Sequence, residues 1–104
     1  MTTIRHACDI ARQHVQIISE AVHQHRVTHW SNTHRAWWEG ERHYDYRAAV
    51  SAAREYRICT ALEILEVDDA ASIAHFATEE PGDWRTIVAR KYLDYLSALH
   101  SEAA

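Results

Sequence analysis

Only three of the 104 residues are glycine or proline: Gly40, Pro81 and Gly82. Chain reversals draw heavily on these two types. Glycine reaches left-handed backbone without a clash, and proline presets φ for a turn. A chain this poor in both is expected to reverse seldom, which sets aside an all-β sandwich or barrel. Alanine, arginine and glutamate are plentiful and favour helix. The expected fold class is therefore all-α: residues 1–104 as a single domain, an antiparallel bundle of four to five helices.

Apolar spacing supports that expectation. Met1, Ile4, Cys8, Ala11, Val15, Ile18 and Val22 recur at alternating steps of three and four, a heptad seam. Thr2 or Thr3 can cap its start. The register runs on to His25 and His29, and the helix is predicted to end near residue 30, where Ser31-Asn32-Thr33 offer caps. A short helix through Glu39 follows, with Gly40 as its C′ residue. A hairpin around Glu39-Gly40 is the alternative, because His43 to Arg47 alternate polar and aromatic. One long helix is predicted from Arg42 to Val67. Ala48, Ala49, Ala52 and Ala53 allow a neighbour close, and Tyr56, Cys59, Leu62 and Leu65 extend an apolar stripe. Asp68 is expected to cap a stretch anchored by Ile73 and Phe76. Asp83, after Pro81-Gly82, is expected to cap a last helix marked by Trp84, Val88, Tyr92, Tyr95 and Leu99, with Ile87, Leu93 and Leu96 widening its face.

Charge is divided along the chain. Residues 1–57 hold eight arginines against six acids and carry seven of the nine histidines. Residues 58–104 hold three Lys/Arg against nine acids. The net charge of −4 makes direct nucleic-acid binding a poor expectation, since affinity for phosphates comes from cations. No run of eighteen apolar residues is present, so no membrane span is expected. The first residues lack the apolar stretch of a signal peptide. Cys8 and Cys59 form no CxxC pair and read as small buried hydrophobes. A reducing, cytoplasmic setting follows from that cysteine usage.

The segment Trp30 to Arg47, WSNTHRAWWEGERHYDYR, holds five of the ten Phe/Trp/Tyr residues. Arginines and histidines lie between them. Trp, Tyr and Arg carry most of the binding energy at protein interfaces. On a helix Trp37 and Trp38 would point about 100° apart, and Tyr44 and Tyr46 about 200° apart, from 3.6 residues per turn. One small core cannot absorb both members of either pair. The expected partner-binding residues are Trp30, Trp37, Trp38, Arg42, Tyr44, Tyr46 and Arg47. The plainer reading is that these rings cap the open end of a bundle.

His25 and His29 stand four apart, the helical spacing at which two imidazoles chelate one transition-metal ion such as zinc. Glu20 and His23 form a single E-x-x-H pair, whereas a di-iron bundle needs two. His75 and Glu79 form an H-x-x-x-E pair. Apart from that metal no cofactor is expected. As extensions of the seam, His25 and His29 would instead face a neighbouring helix or the second subunit of a homodimer. Arg47, Arg54 and Arg57, with His43, make a partly basic stripe. Beside Trp37, Trp38 and Tyr44 it could stack and neutralise a single nucleic-acid strand, but the plainer reading is a solvated face paired with nearby acids. The acidic run from Glu63 to Asp83 could mimic a phosphate backbone, although solvated helix ends explain it as well. No P-loop, G-x-G-x-x-G, H-E-x-x-H or G-x-S-x-G motif occurs. The expected function is non-enzymatic: a protein-binding module, adaptor or small inhibitor that occludes a surface of a larger protein or nucleoprotein.

Overall fold

The first helix begins as its cap residues imply. The Thr3 hydroxyl accepts from the His6 amide at 3.1 Å. In the computed structural model, which describes residues 2–103, helix α1 covers Ile4–His14 and buries Ala7, Cys8 and Ala11. Met1, the first residue of the expected seam, lies outside the described residues. At Val15 the chain leaves the helix. Strands β1 (Val15–Ala21), β2 (Gln24–Ser31) and β3 (Ala36–His43) form an antiparallel sheet in the order β1-β2-β3. Helices α2 (Tyr46–Ile64), α3 (Ala70–Ala77) and α4 (Trp84–Ala103) complete the chain.

The all-α bundle is thus corrected to an α+β fold of four helices and a three-stranded sheet. The physical reason lies in residues 15–30. Val15, Ile17, Ile18, Val27 and Thr28 are β-branched and suit a pleated surface. Val15/Ile17 and His25/Val27/His29 instead follow the spacing of two that puts residues on one face of a strand, which the heptad reading passed over. Val15 and Ile17 on β1 stand opposite His29 and Val27 on β2, so all four share one face. The reversals between the strands form without glycine. Val22-His23 link β1 to β2, and Asn32–Arg35 link β2 to β3 with Arg35 itself at φ 50.

Gly40 sits inside β3 rather than at a helix end or hairpin tip. Thr28 pairs with Glu39 and Arg26 with Arg42, so Val27 faces the two residues Gly40 and Glu41. That is a bulge on β3. A Cβ at Gly40 would stand 2.9 Å from the Val27 carbonyl oxygen, which is why glycine occupies the site. A second bulge falls at Glu20, between the Ser19–His25 and Ala21–Gln24 pairs.

The predicted long helix starts at Tyr46, not Arg42, because Asp45 Oδ1 accepts from the Arg47 amide at 2.9 Å. α3 starts after Asp69 at φ 60, and not with Asp68 as its cap. Asp83 does open α4, accepting from the Arg85 amide at 3.0 Å. α2 is shared by two apolar clusters. Ala49 and Ala53 pack on Val15 and Val27 to hold the sheet. Farther along, Ile58, Ala61 and Leu62 join Cys8, Ala74, Ile87 and Val88 in the helical core. Among the described residues no helix is long and apolar enough to cross a membrane.

Candidate functional site: an open sheet face

The pleat distributes the aromatic segment over two surfaces. Val15, Val27 and their cross-strand partners face α2. The other face carries the alternate residues: Ile18 opposite Arg26, Arg26 opposite Arg42, and Trp30 opposite Trp37. Trp30 and Trp37 meet edge to face with ring centroids 5.7 Å apart, a favourable aromatic geometry. The Trp30 indole Nε1 donates to Asn32 Oδ1 at 3.0 Å. Trp37 remains 46% exposed, and Ile18 on the same face 48%.

Beside this apolar patch lies an ionic cluster. Arg26 pairs with Glu20 at 3.1 Å and also with Glu39, and Arg42 pairs with Glu20 at 3.2 Å. The bulge at Glu20 places its carboxylate between the two guanidinium groups. Sequence reasoning named Arg42, took Glu20 only as the partner of His23 in an E-x-x-H pair, and missed Arg26 and Glu39, because only the register of the sheet brings them together. An apolar centre flanked by paired charges is the usual anatomy of a protein contact surface.

Trp38 points the other way, toward His29, 6.5 Å between centroids, and His34, 5.3 Å. Two adjacent tryptophans cannot share a face in a strand any more than in a helix. Tyr44 is exposed and stacks on His23 at 4.2 Å. Tyr46, the first residue of α2, meets the His25 ring edge-on at 5.2 Å. Arg47 is exposed in the first turn of α2, away from the Trp30–Trp37 pair.

His25 and His29 lie on β2, so the helical chelate does not form. Four residues along a strand separate them by about 13 Å. His25 is 8% exposed and both of its ring nitrogens are engaged, Nδ1 with Ser19 Oγ at 2.8 Å and Nε2 with the Val22 carbonyl at 3.0 Å. His29 stacks on Tyr56 at 4.8 Å. Among the described residues no group of three or more His, Cys, Asp or Glu is placed to hold a metal ion. His75 pairs with Glu55 at 2.9 Å, not with Glu79.

Two arginines of the expected basic stripe serve the fold. Arg54 donates to the carbonyls of Thr78, Glu80 at 2.6 Å and Gly82 at 2.8 Å. Arg57 donates to the Val15 carbonyl at 3.1 Å. A cavity of about 410 Å³ at the end of the sheet is lined by His14, His29, Trp30, Tyr56, Cys59 and Glu63, among others. The Cys59 thiol donates to Glu63 Oε1 at 3.3 Å. Burial first, then the adjacent Glu63 carboxylate, pushes its pKa from 9.0 up to about 12. The thiol stays protonated near neutral pH.

No family model matches the chain, and comparison with curated proteins and with solved structures returned no match.

Proposed function

We propose that the chain is a non-enzymatic binding module, an adaptor or occluding inhibitor, that docks a protein partner on the open face of its sheet. The observation that carries this reading is the edge-to-face Trp30–Trp37 pair on neighbouring strands, with Trp37 nearly half exposed. Such a ring pair desolvated by a partner is a typical anchor. The charges around it favour a protein over a nucleic acid. Arg26 and Arg42 are neutralised by Glu20 and Glu39, and Arg54 and Arg57 are committed to backbone carbonyls, so few free cations face a phosphate chain. The free thiols Cys8 and Cys59 fit a reducing compartment such as the cytoplasm.

Affinity capture from cell extract with wild type, Trp37→Ala and Trp38→Ala tests the proposal. Trp37→Ala is expected to lose the partner while melting as wild type does, because its ring lies outside both apolar clusters. Trp38→Ala, altered on the opposite face, is expected to keep it. A folded Trp37→Ala that retains every partner of the wild type removes the reading.

A further inference from the structure

A second unpartnered surface lies at the other end of the molecule. α2 packs against both α3 and α4, and a groove of about 570 Å³ opens between those two helices. α3 has 8 residues and spans about 12 Å, whereas α4 has 20 and spans about 30 Å, at 1.5 Å per residue. α4 therefore outruns α3. The floor of the groove is apolar: Ile73 and Phe76 from α3, and Tyr95, Ala98 and Leu99 from α4. Phe76 is 79% exposed and Leu99 44%. Phe76 and Leu99 line the same groove, and a contiguous exposed apolar patch is what marks an interaction site.

The rim selects the occupant. Asp68, Asp94 and Glu102 line it, against the single cation Lys91, whose ammonium is held 2.6 Å from Glu80. Residues 58–104 as a whole carry nine acids and three Lys/Arg, so the long-range field also draws a cation. On α4 the lining positions 91, 94, 95, 98, 99 and 102 follow helical spacing. Two helices side by side present a channel that the apolar ridge of a third can fill. From Lys91 to Glu102 the channel runs roughly 16 Å, about three turns.

We propose that the α3–α4 groove docks a cationic amphipathic helix from a partner protein. Apolar residues at i, i+3, i+4 and i+7 of that helix would cover Phe76 and Leu99. Its Lys or Arg side chains would meet Asp68, Asp94 and Glu102. The site is separate from the tryptophan face and does not rest on the reading of that face.

The probe is a fluorescein-labelled peptide of about five turns, with leucine on one face and lysine on the other. It is titrated with the full chain and followed by fluorescence anisotropy. The same residues in scrambled order, and a leucine/glutamate counterpart, are the controls. Wild type is expected to bind the leucine/lysine helix at least about tenfold more tightly than either control. Phe76→Ser is expected to weaken binding by about tenfold, the scale of a lost anchor, and its exposed position keeps the variant folded. Asp94→Asn/Glu102→Gln is expected to weaken binding and flatten its salt dependence. Trp37→Ala should leave binding unchanged. Equal binding of the scrambled peptide, or undiminished binding by Phe76→Ser, would reduce the interaction to charge adsorption and overturn the proposal. So would loss of binding in Trp37→Ala. Light scattering that shows a dimer abolished by Phe76→Ser would replace the partner helix by a second copy of this chain.

Discussion

Gly40 shows how much one residue decides and how little its neighbours in sequence reveal. An isolated glycine after a helix-compatible stretch marks a helix end, whereas the same glycine in a strand marks a bulge or a close backbone approach. Only the position of Val27 on β2, with its carbonyl 2.9 Å from where a Cβ would go, separates the two. Gly40→Ala is expected to lower stability by about 1–3 kcal/mol, the range for forcing extra atoms into packed structure. The check is the denaturant midpoint followed by circular dichroism. An unchanged midpoint would mean that β3 shifts to admit the methyl group. His25 carries the same lesson. Its spacing to His29 suggested a chelate, while the contacts that engage its ring are Ser19 and the Val22 carbonyl across a hairpin.

At the scale of elements, the starts of α1 and α4, set by local caps, were legible, whereas the end of α1 at His14 was not. Thr3 and Asp83 cap α1 and α4 where their side chains imply. The sheet was not. Val15, Ile17, Val27 and Thr28 are strand formers, but the heptad seam through Val15, Ile18, Val22, His25 and His29 equally suited a helix, and the turns use Val22-His23 and Asn32–Arg35 in place of glycine. Of the candidate contact surface, the aromatic-arginine composition was legible and the division of Trp37 from Trp38 between two faces was not, because it depends on register. Arg54 is the element-level tie that spacing could not show. Its guanidinium binds three carbonyls of the α3–α4 connection from the middle of α2. Arg54→Met keeps the length of the side chain and removes the donors. It is expected to cost about 2 kcal/mol, since charged hydrogen bonds each contribute about 1.5–3 and solvent access offsets part of the loss. A thermal melt measures it, and proteolysis is expected to begin near residues 78–82.

Across the whole molecule the two apolar clusters differ in size of side chain. The sheet is held by Val15, Val27, Ala49 and Ala53, while the helical core contains Ile58, Leu62 and Ile87. Buried area scales with side-chain size, so the sheet end has the weaker hold on its structure. Native-state hydrogen exchange is expected to show β2 amides opening at about 1–3 kcal/mol below those of mid-α2, as a separate cooperative unit. Identical protection in both would show that α2 transmits full cooperativity between the clusters. The same division separates the two candidate docking surfaces, with the tryptophan pair on the looser end and the α3–α4 groove on the firmer one.

The kink at Gly40-Glu41 has a consequence for the chain at high concentration. β3 is an edge strand with strand neighbours on one side only, and it carries two tryptophans. A straight strand of that kind would template sheet growth from molecule to molecule. The bulge leaves regular pairing geometry only in short runs on either side, too short to seed a fibre. The residue that shapes the tryptophan face thereby also works against its recruiting copies of itself into an endless ribbon.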